Sequence, residues 1–166
     1  MPVQRLIAVL EQLSAAHEAM IELADQKREA LVRNAVDEVS AVVQKETKWM
    51  RAVENLLKEQ RDATVEFFRS RGFQPTRAVT VTELSRMITD RADKETLLQA
   101  RDRLSDVVAR LQAKNDLNQQ LIEHSLAFIN YSLDLVAGPE DDLMYRNPHQ
   151  QQTPGLKRSG YFDSRA

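Results

Sequence analysis

No cysteine occurs in the 166 residues, which excludes disulfides and thiolate metal ligands and fits a reducing compartment. Glycine and proline are scarce, four and five respectively. Most of them fall around Gly72 to Pro75 and beyond Gly138, so the rest of the chain is free to run in regular structure. Aromatic residues make up only 5%, which disfavours a sheet sandwich. Charge of one sign is also missing: 23 basic and 25 acidic residues leave a net −2, with the signs interspersed. Even Lys45 to Arg51 carries Glu46 inside the run, so no phosphate-binding surface and no nucleic-acid partner are expected. A membrane-surface helix, which gathers its cations on one face, fits this even mixture no better. No apolar run approaches the roughly 20 residues that cross a bilayer. Met1-Pro2-Val3-Gln4-Arg5 leads at once into charged amphipathic sequence, without the apolar core of a signal peptide. Direct membrane insertion is therefore not expected, and the expected location is cytoplasmic.

What is present is a helix-forming vocabulary (Ala, Leu, Glu, Gln, Lys, Arg) and 42% apolar residues, enough for one modest core. From Val3 to Leu31, Leu6, Leu10, Leu13, Met20, Ala24 and Leu31 recur at helical spacing. Near Asn34 the phase slips, and Asn34 followed by Asp37 and Glu38 resembles a helix start, so a new helix or a kink begins there. Val39, Val42, Trp49, Val53, Leu56 and Phe67 continue the stripe to about Ser70, with Trp49 expected as a core anchor, the alternative being that it lines a partner groove. Gly72 and Pro75 stop that helix. Thr80 to Glu83 reads as a capping box before Leu84, Met87 and Ile88, and a second start signal stands at Asp93. Leu97, Leu104, Val108, Leu111, Ile122, Ile129, Leu133 and Val136 then hold a repeat near seven, as in a coiled-coil-like helix on the order of 65 Å long. The expected fold class is all-α. It is an elongated antiparallel helical bundle or coiled coil, with helices at about 3–33, 35–70, 80–90 and 93–137. Two long antiparallel helices, the first kinked, would enclose a short one at the turn. Residues 138–166 hold too few apolar side chains to offset ordering and are expected to form a flexible tail.

Catalytic and ligand chemistry finds little to work with. His17, His124 and His149 lie far apart in sequence and lack a metal-spaced companion, and Ser and Thr have no nucleophile-elbow glycines around them. Asp37-Glu38 and Asp141-Asp142 are read as solvated charge, because adjacent acids on a helix would point to different sides. The reading is a non-enzymatic protein with no cofactor and no metal. Asn115 and Asn118 are the unusual pair, placed at seam positions between Leu111 and Ile122, where an amide costs stability unless it fixes helix register or meets a partner.

The stretch Asn115-Asp116-Leu117-Asn118-Gln119-Gln120-Leu121-Ile122-Glu123-His124-Ser125-Leu126 resembles the FlgN family of flagellar type III export chaperones, whose members carry N-x-x-N-x-x-L-I-x-x-S-L late in the final long helix. Asn115, Asn118, Leu121, Ile122, Ser125 and Leu126 fill every named position. Weaker support comes from Lys27 to Leu31 before a polar break, from Glu46 and Arg61, and from the tail's closing aromatic group. The resemblance implies a cytoplasmic chaperone for the hook-filament junction proteins FlgK and FlgL, which binds their C-terminal helical ends. It also implies docking on the cytoplasmic domain of the export gate through a tail tyrosine, for which Tyr145 and Tyr161 are the candidates.

For a binding chaperone, client contacts are expected at Leu126, Ile129, Leu133, Val136, Leu143 and Met144, which exceed what a two-helix seam requires. The same stripes would serve a structural coiled-coil homodimer or larger scaffold, the alternative reading.

Overall fold

The computed structural model describes residues 1–138. Over them the chain forms four helices and no strand: α1 (Pro2–Val32), α2 (Val36–Arg69), α3 (Val81–Ser85) and α4 (Arg91–Ala137). The all-helical class is thus the one expected from the scarcity of breakers and aromatics. Two compact units are distinguished, Met1–Ser125 and Leu126–Ala166, and α4 runs from the first into the second. The expected tail lies, apart from Gly138, outside the described residues.

Proline at the first position of α1 costs nothing, because its missing N–H would have had no intrahelical partner there. The end of α1 corrects the sequence reading. Asn34 adopts φ 53°. The Ala35 N–H donates to the Ala30 carbonyl at 2.9 Å and the Asn34 N–H to that of Leu31 at 3.1 Å. These are the paired bonds of a Schellman stop, with Asn34 as its left-handed residue. Asn34 therefore ends α1 instead of capping α2, which follows Ala35 without a side-chain cap. Asparagine suits both roles, since its short amide tolerates left-handed backbone and also caps helices.

The consequence is a reversal, not a kink. Arg5 pairs with Glu66 at 2.5 Å and Lys27 with Glu46 at 2.8 Å, so α2 runs antiparallel to α1. Gln4 meets Asp93, Glu18 meets Arg103 and Asp25 meets Lys114, so α4 runs parallel to α1. Met1–Ser125 is an up-down-up arrangement of three helices, where the sequence suggested two long antiparallel ones. Continuity of the apolar stripe misled because a hairpin preserves it as well as a kink does.

Gly72, at φ 77°, stops α2 as expected, through the Phe73 N–H to the Phe68 carbonyl at 3.0 Å. The capping box at Thr80 is complete, with Glu83 answering it from the third position. α3 is shorter than the expected 80–90, and α4 begins at Arg91, where Asp90 Oδ1 accepts from the Asp93 N–H at 2.9 Å. Asp93 thus sits in the first turn, and Asp90 supplies the capping carboxylate.

The main core gathers Leu6, Leu10 and Leu13 of α1, Phe67 of α2, and Leu97 and Ala100 of α4, closed at the end by Leu84 and Ile88. A second cluster, Ile21 and Ala24 against Val107 and Leu111, draws on α1 and α4 alone. Two seam assignments change. Val107 is 1% exposed and Val108 39%, because the contact line runs through Leu97, Ala100, Leu104, Val107 and Leu111, so the residue three and not four after Leu104 meets α1. Trp49 is also 39% exposed, since no α2 residue joins the second cluster and the middle of α2 is thinly covered.

Two outcomes are expected. Asn34→Gly should match or exceed the wild-type urea midpoint, whereas Asn34→Val, with a β-branched side chain in left-handed backbone, should cost about 1–2 kcal/mol. Equal midpoints would contradict the assigned stop. At Glu83, the hydrogen bond from Arg77, followed by those from the Thr80 backbone and hydroxyl, lowers the carboxyl pKa from 4.5 to about 2. A depressed folded-state value stabilises fully above the unfolded pKa and is lost as pH falls through the folded one. The difference in urea midpoint between wild type and Glu83→Gln should therefore be flat above about pH 5.5, fade towards about pH 2, and shrink in high salt.

Candidate functional site

Asn118 is where the asparagine motif meets α1. Its side chain is 2% exposed, and Nδ2 donates to the Ala24 carbonyl at 2.8 Å. A helical carbonyl keeps a second lone pair after its ladder bond, so the cross-link costs α1 nothing. Oδ1 has no hydrogen-bond partner among the described residues. One turn earlier Lys114 Nζ donates to Asp25 at 2.5 Å. An amide and an ion pair together fix the sliding position of α4 on α1. Asn115, placed at the seam by the seven-residue count, is instead exposed: three residues before Asn118 it lies about 60° around the helix, beyond a narrow contact line. Leu121, Ile122 and Ser125 are half-buried, and Leu126 is exposed. Leu117 and Leu121 also line an open groove with Arg28, Glu29, Val32 and Arg33. Lys27 and Glu46, two of the weaker sequence signals, are brought together in the ion pair that joins α1 to α2.

In the second unit, α4 continues to Ala137 with its apolar side chains uncovered. Leu126, Ile129, Leu133 and Val136 are between 49% and 89% exposed. Their spacing of three, four and three residues puts them on one stripe. Phe128, Tyr131 and Leu135 are exposed as well and form a second stripe about half a turn away. Sequence reasoning missed that stripe because it followed a single seven-residue register, and a count on both faces would have found it. Leu143, Met144, Tyr145 and Tyr161 lie outside the described residues. His17 Nδ1 is taken up by the Leu13 carbonyl at 2.7 Å. Among the described residues no cluster of three His, Asp or Glu side chains is arranged to hold a metal, and no helix is long and apolar enough to cross a membrane.

Because Oδ1 is already unsatisfied, the amide at Asn118 is a poor source of net stability. Asn118→Leu, of the same branched shape, should leave the urea midpoint unchanged or raise it. Asn118→Ala, which removes the bond and leaves a void, should lower stability by about 1–2 kcal/mol. Equal losses for both would show that the hydrogen bond, and not the filled space, dominates.

The comparisons with known proteins agree with the motif. The family model described as FlgN protein matches residues 1–153. A curated relative, "Uncharacterized protein YvyG" of Bacillus subtilis (strain 168), is 28% identical over 166 residues and is aligned over 100% of each chain. No solved structure matches. The chain belongs to the FlgN family of flagellar export chaperones.

Proposed function

We propose that this protein is a cytoplasmic, non-enzymatic export chaperone that covers the C-terminal helical ends of the hook-filament junction proteins FlgK and FlgL and hands them to the export gate. The observation that carries the reading is the bare stripe Leu126, Ile129, Leu133 and Val136 on a formed helix. Contiguous uncovered apolar residues of this kind are a recognised mark of an interaction surface. An amphipathic client helix that places its own apolar face along this stripe would remove both from water before export. The helix is already formed, so little ordering entropy opposes the association on the chaperone's side. Leu143 and Met144 extend the same contact in this proposal, and Tyr145 or Tyr161 meets the cytoplasmic domain of the gate.

Titration of the full chain with FlgK tests the proposal. Replacing Leu126, Ile129 and Leu133 together with Ala should leave helicity by circular dichroism undiminished, because these side chains are exposed in the free protein and alanine is a good helix former. Burial of the remaining exposed half of each is worth about 1 kcal/mol, so affinity for FlgK should fall about a hundredfold. Undiminished binding would refute the placement. Light scattering of the chaperone alone, across a concentration series, separates it from a scaffold: a stable homodimer indifferent to FlgK would favour the scaffold.

A further inference from the structure

The end of α4 is apolar on two sides. Within Leu126–Ala137, inside the second compact unit, Leu126, Ile129, Leu133 and Val136 span about 80° of the helix circumference and Phe128, Tyr131 and Leu135 about 60°, with centres about 150° apart. Ser132 divides the two stripes on one side, Asn130 and Asp134 on the other. The members of the second stripe are between 62% and 68% exposed, as bare as those of the first. Neither stripe belongs to a core cluster among the described residues. A helix that meets one core carries one apolar stripe about 100° wide, whereas a helix apolar over most of its surface is built to be buried on more than one side.

One partner helix cannot reach both stripes. Packed helices lie about 8–10 Å apart, axis to axis, so a helix seated on Leu126, Ile129, Leu133 and Val136 leaves Phe128, Tyr131 and Leu135 facing away from it, still in water. Taking about 100–150 Å² for each half-exposed large side chain, one stripe offers on the order of 400 Å². A standard stable interface takes about 800 Å² from each partner, which the two stripes supply together and neither supplies alone. Both run at intervals of three and four residues, the spacing at which helices interlock, so both call for helices. A lipid surface fits poorly, because a helix lying in a bilayer lines its polar rim with cations and Ser125–Ala137 contains no Lys or Arg.

We infer that the client grips the end of α4 from both sides with two amphipathic helices of one chain, the second seated on Phe128, Tyr131 and Leu135, so that α4 becomes the third helix of a shared bundle. The inference rests on the export-chaperone reading and adds to it the form of the client. Two unlinked helices would each hold by about half an interface, whereas joining them makes the second contact intramolecular, at a high effective concentration. The turns from Leu126 to Ala137 rise about 18 Å, room for three or four contact residues on each side.

The chain contains no cysteine, so one introduced cysteine carries a photoreactive label at a single place. Leu133→Cys and Leu135→Cys set that label at nearly the same height of α4 on opposite sides, about 160° apart. After irradiation in complex with FlgK, peptide mapping should show the two labels attached to different FlgK segments, at least about ten residues apart, in a complex of one chaperone and one FlgK by light scattering. Phe128→Ala, Tyr131→Ala and Leu135→Ala combined should keep the circular dichroism and urea midpoint of the free protein and weaken FlgK binding about a hundredfold, as the substitutions on the first stripe do. Capture of one and the same segment by both labels, a complex holding two chaperones or two clients, or undiminished affinity of the second-stripe variant would overturn the inference while leaving the export-chaperone reading in place. A wild-type protein that binds no FlgK would overturn that reading, and the inference with it.

Discussion

The grip of α1 on α4 is the interaction on which the other features rest. Ile21 and Ala24 against Val107 and Leu111, the Asn118 amide on the Ala24 carbonyl and the Lys114–Asp25 pair together hold the middle of α4 in one axial position. Isolated helices are marginal in water, and most helical stability in proteins comes from packing an apolar face. Among the described residues the turns from Leu126 to Ala137 have no such packing, so within them helical order is continued from the turns before. Without that anchorage, a stretch rich in exposed Leu, Ile, Phe and Val would fray.

Small residues make the grip possible. Ala24 of α1 packs in one cluster with Val107 and Leu111 of α4, Ala63 of α2 and Ala100 of α4 lie in the main core, and Ala16 and Ala30 of α1 are buried as well. Large residues are concentrated near Phe67, where α1, α2 and α4 share one core and α3 closes it with Leu84. Towards Asn34 the core thins to α1 and α4, and the largely buried Lys27–Glu46 pair fixes α2 to α1 there instead. Such a pair adds little net stability, because desolvation offsets attraction, but loss of one partner would strand a charge in a confined place. Its contribution is to define which residues of α2 face α1, and therefore which remain outside.

Much of this was legible from the residues. The helical class followed from absent breakers, the stop at Gly72 from the need for left-handed backbone, and the start at Thr80 from reciprocal capping chemistry. The reversal at Asn34 was not legible, because asparagine serves as a cap and as a left-handed residue alike and only long-range contacts decide. The shift from Val108 to Val107 and the exposure of Asn115 share one cause: the seven-residue interval holds through Leu97, Leu104, Leu111 and Asn118, but the contact between them falls three residues after Leu104, so Val108 and the residue seven beyond it, Asn115, turn outward. Trp49 was misplaced because size alone suggested an anchor, while its burial depends on how many helices surround that level of α2. The stripe at Phe128 was overlooked because a single apolar face was followed along α4.

Amide hydrogen exchange along α4, measured by fragment-resolved mass spectrometry on the free protein, tests the central claim most directly. The account predicts strong protection from Leu97 to Asn118, where α1 packs, and weaker but still measurable protection between Ile129 and Ala137, where the helix is formed and uncovered. Uniform protection through Ala137 would mean that the helix end is already covered in the free protein, contradicting the proposal that it waits bare for a client.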